Sequence, residues 1–368
     1  MSKIKHIFLT IMLALLSATS VLAVDTIDKI GFSSATLTPG ETGTQYMTVV
    51  LLGSRIYCAL NFDVKLPEGV EPVFNSKGKI VARLLEDGIL PNDDGQFYHT
   101  VSCTYTEEDR NLRISCVSTD LDEFNSEAGT LFKLPFKVST YVKPGTLDMN
   151  LSGQALTTAD ATEYDPADAT DTNIAIGTTA KASLSVSSTN KWSTCILPFA
   201  TALPDGLKAY TISSKDDDKQ VFYLSDASSI EAYTPYILYS ESGYTGTLTG
   251  EVDASQYPES GKVAQGYLTG AVEAQTTNEG YILQKQSGVV KFYLADPSKT
   301  YNIPAGKCWA TPPAGTTQSY SFDFPTAVKG IAEVAESKNE SKYNLSGIMI
   351  DAPRKGQLYI QNGRKYVK

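Results

Sequence analysis

The sequence predicts an all-β protein made of a two-sheet β-sandwich, a second β domain and a short C-terminal β-hairpin. The 21 tyrosines, together with many Thr, Ser and Val residues, favour strands. Apolar and polar residues alternate with period two along several segments, and no long amphipathic helix interrupts them. Turn sequences such as Pro39-Gly40 and Pro144-Gly145 separate the short strands. The 368 residues provide for roughly two or three domains.

Residues 1–23 have the pattern of a secretory signal peptide. Lys3 and Lys5 precede an apolar run at 7–16, and small residues end the segment at Ala23. A membrane anchor is the alternative, but a bilayer span needs about 20 apolar residues. No cysteine follows Ala23, which argues against a lipoprotein. We therefore expect an exported chain, extracellular or at the cell surface with the periplasm left open, and no integral membrane segment in its mature form.

Charge and histidine content exclude several classes of function. Removal of Lys3 and Lys5 takes the formal net charge from −10 to −12, which argues against nucleic acid and anionic membranes as partners. His6 lies in the signal segment, so His99 is the only histidine of the mature chain. Metal sites with several histidines are thereby excluded, and any Ser-His-Asp triad would need His99.

The sequence predicts no enzyme, no cofactor and no metal site. No G-x-S-x-G motif lies near His99, and phosphate-binding glycine loops are absent. The acidic runs Asp93-Asp94 and Asp216-Asp217-Asp218 lie in turn-like segments, where carboxylates are normally solvated. A glycosidase-like carboxylate pair is the alternative there. We interpret His99 as a satisfied histidine on a strand rather than as a catalytic base.

The first β region, residues 24–175, shows the clearest alternation. Two strands each place four apolar residues on one face: Leu60, Phe62, Val64 and Leu66 in the first, and Phe132, Leu134, Phe136 and Val138 in the second. Pro135 lies inside the second strand, which predicts a sheet edge or a bulge there. Short strands between turns over about 150 residues suggest a two-sheet sandwich.

The five cysteines are few for an exported chain of this length, so packing rather than disulfides must supply most of the stability. Cys103 and Cys116 lie on two strand-like runs joined by a polar turn at 107–111. Folding this hairpin about its centre places the two side chains nearly opposite each other. Either a cross-strand disulfide or two buried thiols fits this arrangement. Because five is odd, at least one thiol stays unpaired within the chain.

Four segments of the first β region resemble the cohesin-like β-sandwich of the carbohydrate-binding superfamily. They lie at 37–41, 62–70, 129–136 and 151–157 and match the patterns P-G-[ED], F-x-[VL]-x-[LY]-P-x-G-V, G-x-L-x-x-[IL]-x-F and L-[ST]-x-x-x-[LF]-[TS]. The resemblance implies this fold over roughly residues 28–175. Cohesins bind dockerins, and related sandwiches bind polysaccharide. The chain itself contains no D-x-[DN]-x-[DN]-G calcium loop of the dockerin type.

Residues 157–181 are rich in Ala, Thr and Asp, and we expect a solvated acidic connector there. Calcium binding by its carboxylates is the alternative, but the order of ligands fits no known loop. The second β region, 182–325, is similar to an accessory β module of secreted surface proteins in bacteria that use Por-type secretion. Five ordered matches carry this similarity, at 192–199, 204–210, 232–238, 281–283 and 303–309.

The aromatic residues of the second β region are its only candidate ligand-binding residues. Trp192, Trp309 and Tyr236 could stack on sugar rings, whose C–H faces are apolar. Aromatic residues inside strand motifs usually belong to the core, so packing is the alternative for all three.

The C-terminal segment, 326–368, is predicted to be a flexible lead-in followed by a hairpin. Asn362-Gly363 between two apolar strands predicts a two-residue type I′ turn. Residues 343–347 and 355–367 resemble the C-terminal signature of Por-type (type IX) secretion cargo, although Ile348-Met349-Ile350 replaces the usual polar-basic-apolar triplet.

Taken together, these features predict an exported, non-catalytic binding protein. Its sandwich would recognise a glycan or another extracellular protein, and a structural or assembly subunit of a surface complex is the alternative. Exposed aromatic residues in a groove would favour the glycan, whereas an exposed apolar patch or an unprotected strand edge would favour assembly.

Overall fold

The computed structural model describes residues 24–25, 28–53, 55–89, 91, 94–125, 129–166, 172–312, 317–323, 342–343, 349–350, 355, 358–361 and 364–367. Thirteen strands occupy the first β region. They are β1 (Val24–Asp25), β2 (Lys29–Phe32), β3 (Thr36–Leu37), β4 (Gln45–Leu52), β5 (Ala59–Lys65), β6 (Val70–Pro72), β7 (Arg83–Leu84), β8 (His99–Thr106), β9 (Asn111–Ser118), β10 (Thr130–Val138), β11 (Gly145–Thr157), β12 (Glu163–Pro166) and β13 (Thr172–Ile176). The predicted signal segment 1–23 lies outside the described residues.

These strands form the predicted two-sheet sandwich. The first sheet has the order β1-β12-β11-β5-β9-β8, and β13 pairs with β11 and, on its other side, with β3. The second has the order β2-β4-β10-β6, with β7 also paired to β10. Their inner faces meet in one hydrophobic cluster, in which the Phe32 ring contacts Phe62 of the first sheet and Phe136 of the second at centroid distances of 5.9 and 6.3 Å.

The alternation predicted for the two apolar strands is confirmed. All eight of their inward-facing residues are buried. Three of them lie on β5, Leu66 directly follows β5, and the other four lie on β10. The expectation that Pro135 marks an edge or a bulge is wrong, because β10 lies inside its sheet and its irregularity falls between Thr130 and Phe132. The Val73 amide donates to the Pro135 carbonyl, so this carbonyl faces the side of β10 on which β6 and β7 pair. The Pro135 nitrogen faces the same side and lies in the gap between these two short strands. Its missing N–H therefore breaks no ladder hydrogen bond.

The expected connector at 157–181 is replaced in large part by strands. Strand β12 pairs with β1 in parallel and with β11 antiparallel, and β13 pairs with β11 and β3. The calcium alternative included Asp168 and Asp171, which lie outside the described residues. Asp160, in contrast, closes a tight turn by accepting hydrogen bonds from Thr158 Oγ1 at 2.5 Å and from the Thr162 amide at 3.2 Å.

In its described residues, the second β region contains sixteen strands and one short 3₁₀ helix, Ala254–Gln256. The strands are β14 (Thr179–Val186), β15 (Trp192–Cys195), β16 (Thr201–Ala202), β17 (Lys208–Asp216), β18 (Val221–Ala227), β19 (Ser229–Ile230), β20 (Tyr236–Tyr239), β21 (Tyr244–Glu251), β22 (Lys262–Gln265), β23 (Leu268–Ala271), β24 (Gln275–Thr277), β25 (Tyr281–Gln286), β26 (Val289–Leu294), β27 (Tyr301–Ile303), β28 (Cys308–Ala310) and β29 (Ser319–Asp323). Ten of them form one sheet, ordered β15-β20-β17-β18-β29-β26-β25-β28-β23-β22. In the part of the chain described, no helix has the length and hydropathy of a membrane span.

The two β regions have separate hydrophobic clusters but belong to one unit, which extends to Phe322. Several contacts join them, and three of these surround Thr140, Tyr141 and Lys181. The Tyr141 hydroxyl donates to the Ile196 carbonyl at 2.9 Å, Thr140 Oγ1 donates to the Lys181 carbonyl at 2.8 Å, and Lys181 Nζ pairs with Glu41 at 2.5 Å. The Tyr141 side chain thus reaches from a loop of the sandwich to the second region and fixes their contact.

Residues from Asp323 onwards form a second unit. Its strands are β30 (Lys342–Tyr343), β31 (Met349–Ile350), β32 (Leu358–Gln361) and β33 (Arg364–Val367). Gln361 pairs with Arg364, so the predicted hairpin with a two-residue connection is confirmed. Asn362 and Gly363 themselves lie outside the described residues, and the type of their turn stays a prediction. The all-β prediction holds for all the chain that is described.

Candidate binding surface

Strand β8 forms one edge of the first sheet of the sandwich. It pairs with β9 along all eight of its residues, from His99 opposite Ser118 to Thr106 opposite Asn111, without a bulge. No residue of β8 is charged, and none is proline. Natural edge strands are usually short, bulged, or protected by lysine or proline. Strand β8 therefore lacks the protections that a strand's own sequence and pairing can supply.

The register shows which backbone groups of β8 face outward. The Ser118 amide donates to the Cys58 carbonyl and the Leu66 amide to the Arg110 carbonyl, so the even-numbered residues of β9 bond to β5. The odd-numbered residues of β9 must then bond to β8, since the two sides of an antiparallel strand alternate. Their partners on β8 are its even-numbered residues.

It follows that the N–H and C=O groups of four β8 residues point away from β9. These residues are His99, Val101, Cys103 and Tyr105. Among the described residues, no strand pairs with this side of β8. The side chains of the same four residues face the core, where His99 is buried and the other three pack against the hydrophobic cluster. The edge thus offers four backbone donors and four acceptors, backed by an ordered core.

The outer face of the sheet beside this edge carries small polar side chains. Thr100, Ser102, Thr104 and Thr106 are exposed on β8. Across the neighbouring strands β9 and β5, Ser102 is followed by Ser115 and Asn61, and Thr104 is followed by Arg113 and Asp63. Arg113 donates to both carboxylate oxygens of Asp63, at 2.9 and 2.8 Å. On β8, β9 and β5, none of the outward-facing residues is aromatic.

His99 is a buried strand residue, but it differs from the expected satisfied histidine. Its ring stacks on Phe124 at a centroid distance of 4.7 Å, and among the described residues neither ring nitrogen has a partner in good hydrogen-bond geometry. Burial lowers the pKa of His99, although the nearby Asp122 carboxylate acts in the opposite direction. A buried imidazole of lowered pKa is neutral at pH 7.

The two candidate disulfide residues are not opposite each other. Cys103 pairs with Ile114, and Cys116 pairs with Val101, which makes the two cysteines diagonal neighbours on one face of the hairpin. The expected register is corrected by one residue, because the connecting turn consists of residues 107–110 rather than 107–111. Both cysteines are thiols in this structure, as are the other three. Burial raises the pKa of Cys103 to about 12, so its thiol is protonated at neutral pH.

The three candidate aromatic residues occupy different environments. Trp309 and Tyr236 are 5% and 3% exposed, so they pack in the core of the second β region and leave no ring face for a sugar. Trp192 is half-buried and packs against Phe322 and Tyr239 at centroid distances of 4.5 and 4.7 Å. It also lines a crevice near the start of β15. The structure does not bring the three together.

The acidic residues considered for catalysis have other partners. Asp216 accepts from the Lys219 amide, and Asp217 accepts from Lys215 and from the Tyr320 hydroxyl. These hydrogen bonds lower the pKa of both carboxyls, whereas a glycosidase acid needs a raised pKa. Asp93 lies outside the described residues. In the described part of the chain, no group of three or more His, Cys, Asp or Glu side chains could hold a metal ion.

Comparisons with known proteins give structural matches only. No family model matches the sequence, and no curated protein matches it. A type I cohesin–dockerin complex from Clostridium thermocellum, Coh-OlpA-Doc918, matches with 16% identity over 41% of this chain and 99% of that chain, at a TM-score of 0.32. The non-cellulosomal cohesin of the archaeon Archaeoglobus fulgidus matches with 16% identity over 41% and 91%, at 0.30. CaCohA2 from Clostridium acetobutylicum matches with 13% identity over 41% and 92%, at 0.30.

Proposed function

We propose that this chain is an exported, non-catalytic binding protein whose sandwich associates with another extracellular protein along the edge of β8. The observation that carries the proposal is the row of outward N–H and C=O groups on His99, Val101, Cys103 and Tyr105, on a strand with no edge protection. A strand from a partner chain satisfies these groups by β-augmentation, in which main-chain hydrogen bonds supply affinity and alternate side chains supply specificity.

The chemistry of the edge favours a polypeptide over a glycan. A peptide backbone repeats donors and acceptors at the spacing that β8 presents, whereas sugar recognition commonly uses exposed aromatic faces. The outward residues of β8, β9 and β5 include no aromatic side chain. Thr100, Ser102 and Thr104 would lie beside the partner's side chains on the outer face, so we expect small polar residues at alternate positions of the partner strand.

The experiment compares capture of surface proteins by the parent chain and by two edge variants. Val101→Pro removes one outward N–H and keeps the β8–β9 ladder, because the Val101 amide points away from β9. Ser102→Lys places a charge on the exposed edge. Thr245→Lys adds the same charge on an exposed strand position of the second β region and serves as the control.

A captured protein should be identified by mass spectrometry, purified, and titrated against all four chains. We expect saturable binding by the parent and by Thr245→Lys, and a loss of binding by Val101→Pro and Ser102→Lys. Equal binding by all four chains would refute the edge as the site. Saturable binding to a glycan array alone would refute a protein partner.

The alternative role as an assembly subunit uses the same edge, with the strand supplied by a neighbouring subunit. Light scattering distinguishes it. A purified chain that forms multimers, and that becomes monomeric on Val101→Pro, would be an assembly subunit. A monomeric parent chain favours the separate partner.

A further inference from the structure

A crevice of about 270 Å³ lies in the second β region, away from the sandwich edge. It forms because β25 pairs with β28 only at Tyr281 and Ala310, so that the rest of β25 diverges from Cys308. Strand β15 closes the opposite side, where the Thr194 hydroxyl accepts the Cys308 amide at 3.0 Å. The crevice is therefore bounded by β15, β25 and β28, and β27 and the turn before β28 supply further lining residues.

Lys307 supplies the charge of this crevice. Its ammonium donates to Ser193 Oγ at 3.0 Å and to the Thr194 carbonyl at 3.3 Å, and both acceptors are neutral. An ammonium group has three N–H donors, so one remains for a further acceptor. No carboxylate of the described residues forms an ion pair with Lys307. The charge is thus held between two neutral oxygens in an acidic protein.

The backbone before Lys307 is held rigidly. The Lys307 amide donates to the Pro304 carbonyl at 3.1 Å, and Gly306 has a φ of 83°. A Cβ at Gly306 would lie 2.2 Å from the Tyr141 hydroxyl oxygen, so the sandwich packs directly on this turn. The Ile196 amide also donates to the Gly306 carbonyl. Lys307 is consequently positioned before any ligand arrives, which reduces the entropic cost of binding.

The remaining lining combines amides, apolar walls and a second lysine, with no carboxylate among the residues that the structure describes. The amide side chains are Asn190, Gln284 and Asn302, the apolar walls include Ile282, Ile303 and Trp192, and the second lysine is Lys285. Apolar walls fit the C–H faces of a sugar ring, amides hydrogen-bond its hydroxyls, and the two ammonium groups attract a negative charge. The crevice volume is large enough for a single sugar ring but not for several rings of a polysaccharide.

We propose that this crevice binds one carboxylated sugar, a hexuronate residue of an acidic polysaccharide, with its carboxylate on Lys307. The site lies on strands β15, β25 and β27 and on the turn that carries Lys307 before β28, so it is independent of the β8 edge. A chain that lost its protein partner through Val101→Pro would keep it.

Calorimetric titration of the full exported chain with trigalacturonate tests the proposal. We expect saturable binding that weakens about tenfold or more on Lys307→Gln, as for the loss of a charged hydrogen bond. Lys299→Gln removes the same charge from an exposed lysine paired with Asp296, and it should bind like the parent. The methyl ester of trigalacturonate lacks the charge and should bind as weakly as the parent sugar binds to Lys307→Gln.

Several outcomes would overturn the proposal: no saturable binding by the parent, equal affinity of the acid and its ester, or no effect of Lys307→Gln. Inorganic phosphate that displaces the sugar at equal concentration would also overturn it, because the site would then be a simple anion site. If Lys307→Gln fails to fold, Asn302→Ala takes its place, since Asn302 lines the same crevice and is exposed. Its expected effect is a weaker affinity for the acid and the ester alike.

Discussion

Replacement of Tyr57 by phenylalanine tests how the sandwich holds its most buried charge. The Asp28 carboxylate is fully buried, and Tyr57 is 1% exposed. The Tyr57 hydroxyl donates to Asp28 Oδ2, and the Arg55 guanidinium pairs with the same oxygen at 3.2 Å. Arg55 also lies over the Tyr164 ring at 4.4 Å. Tyr57→Phe keeps the ring and removes one donor from a carboxylate that water cannot reach.

The expected loss follows from the type of hydrogen bond. Hydrogen bonds to charged groups contribute about 1.5–3 kcal/mol. Asp28 keeps its ion pair with Arg55 in the variant, but solvent cannot replace the lost donor at this buried carboxylate. We therefore expect Tyr57→Phe to lower the free energy of unfolding by about 1.5–3 kcal/mol. Urea denaturation followed by fluorescence should show a lower midpoint with an unchanged slope.

Tyr46→Phe is the matched control, because the Tyr46 ring is 44% exposed on β4. Its free energy of unfolding should stay within about 0.5 kcal/mol of the parent value. If Tyr57→Phe behaved like this control, the Asp28–Tyr57 hydrogen bond would not stabilise the fold, and the reasoning would be refuted.

Two further predictions concern His99 and Gly306. Burial lowers the pKa of His99 below its ordinary value of 6.5, so the unfolded chain binds the proton more readily than the folded chain. The free energy of unfolding should therefore fall as the pH drops below about 6.5. His99→Phe should reduce that loss, as measured by urea titrations at about pH 7 and about pH 5. An unchanged pH dependence would exclude His99 as its source. Gly306→Ala introduces a Cβ at a positive φ against Tyr141. It should destabilise the chain by about 1 kcal/mol or more, measured by thermal unfolding. Gly288→Ala is the control, because Gly288 has the same φ of 83° with open space around it, and its loss of stability should be smaller. Equal losses in the two glycine variants would show that the Tyr141 contact adds nothing.

Local alternation was sufficient to predict β5, β10 and the β8–β9 hairpin, because in these strands one face is buried and the other is polar. It failed where distant pairing decides the structure. Strands β12 and β13, in the segment expected to be a connector, pair with β11 and also with β1 and β3, which lie more than 130 residues earlier in the sequence. The position of Pro135 was mispredicted for the same reason, since the gap between β6 and β7 depends on residues 70–84.

The candidate sites were less predictable than the fold. Nothing in the sequence of β8 indicates that it lies at an edge, because a strand without charge or proline is more typical of a sheet interior. Lys307 was part of a matched segment, but its acceptor Ser193 lies 114 residues away along the chain. Trp309 and Tyr236 looked like available aromatic faces, and only the three-dimensional arrangement of the second β region shows that they are buried.

Hydrogen exchange at single amides of β8 tests the edge most directly, since it needs no partner. Electron-transfer fragmentation of the labelled, monomeric chain resolves neighbouring amides. The edge predicts fast exchange at Val101, Cys103 and Tyr105 and slow exchange at Ser102 and Thr104, with protection of the first three when the captured protein is bound. Slow exchange at all five amides in the isolated monomer would contradict an open edge, and with it the proposed function.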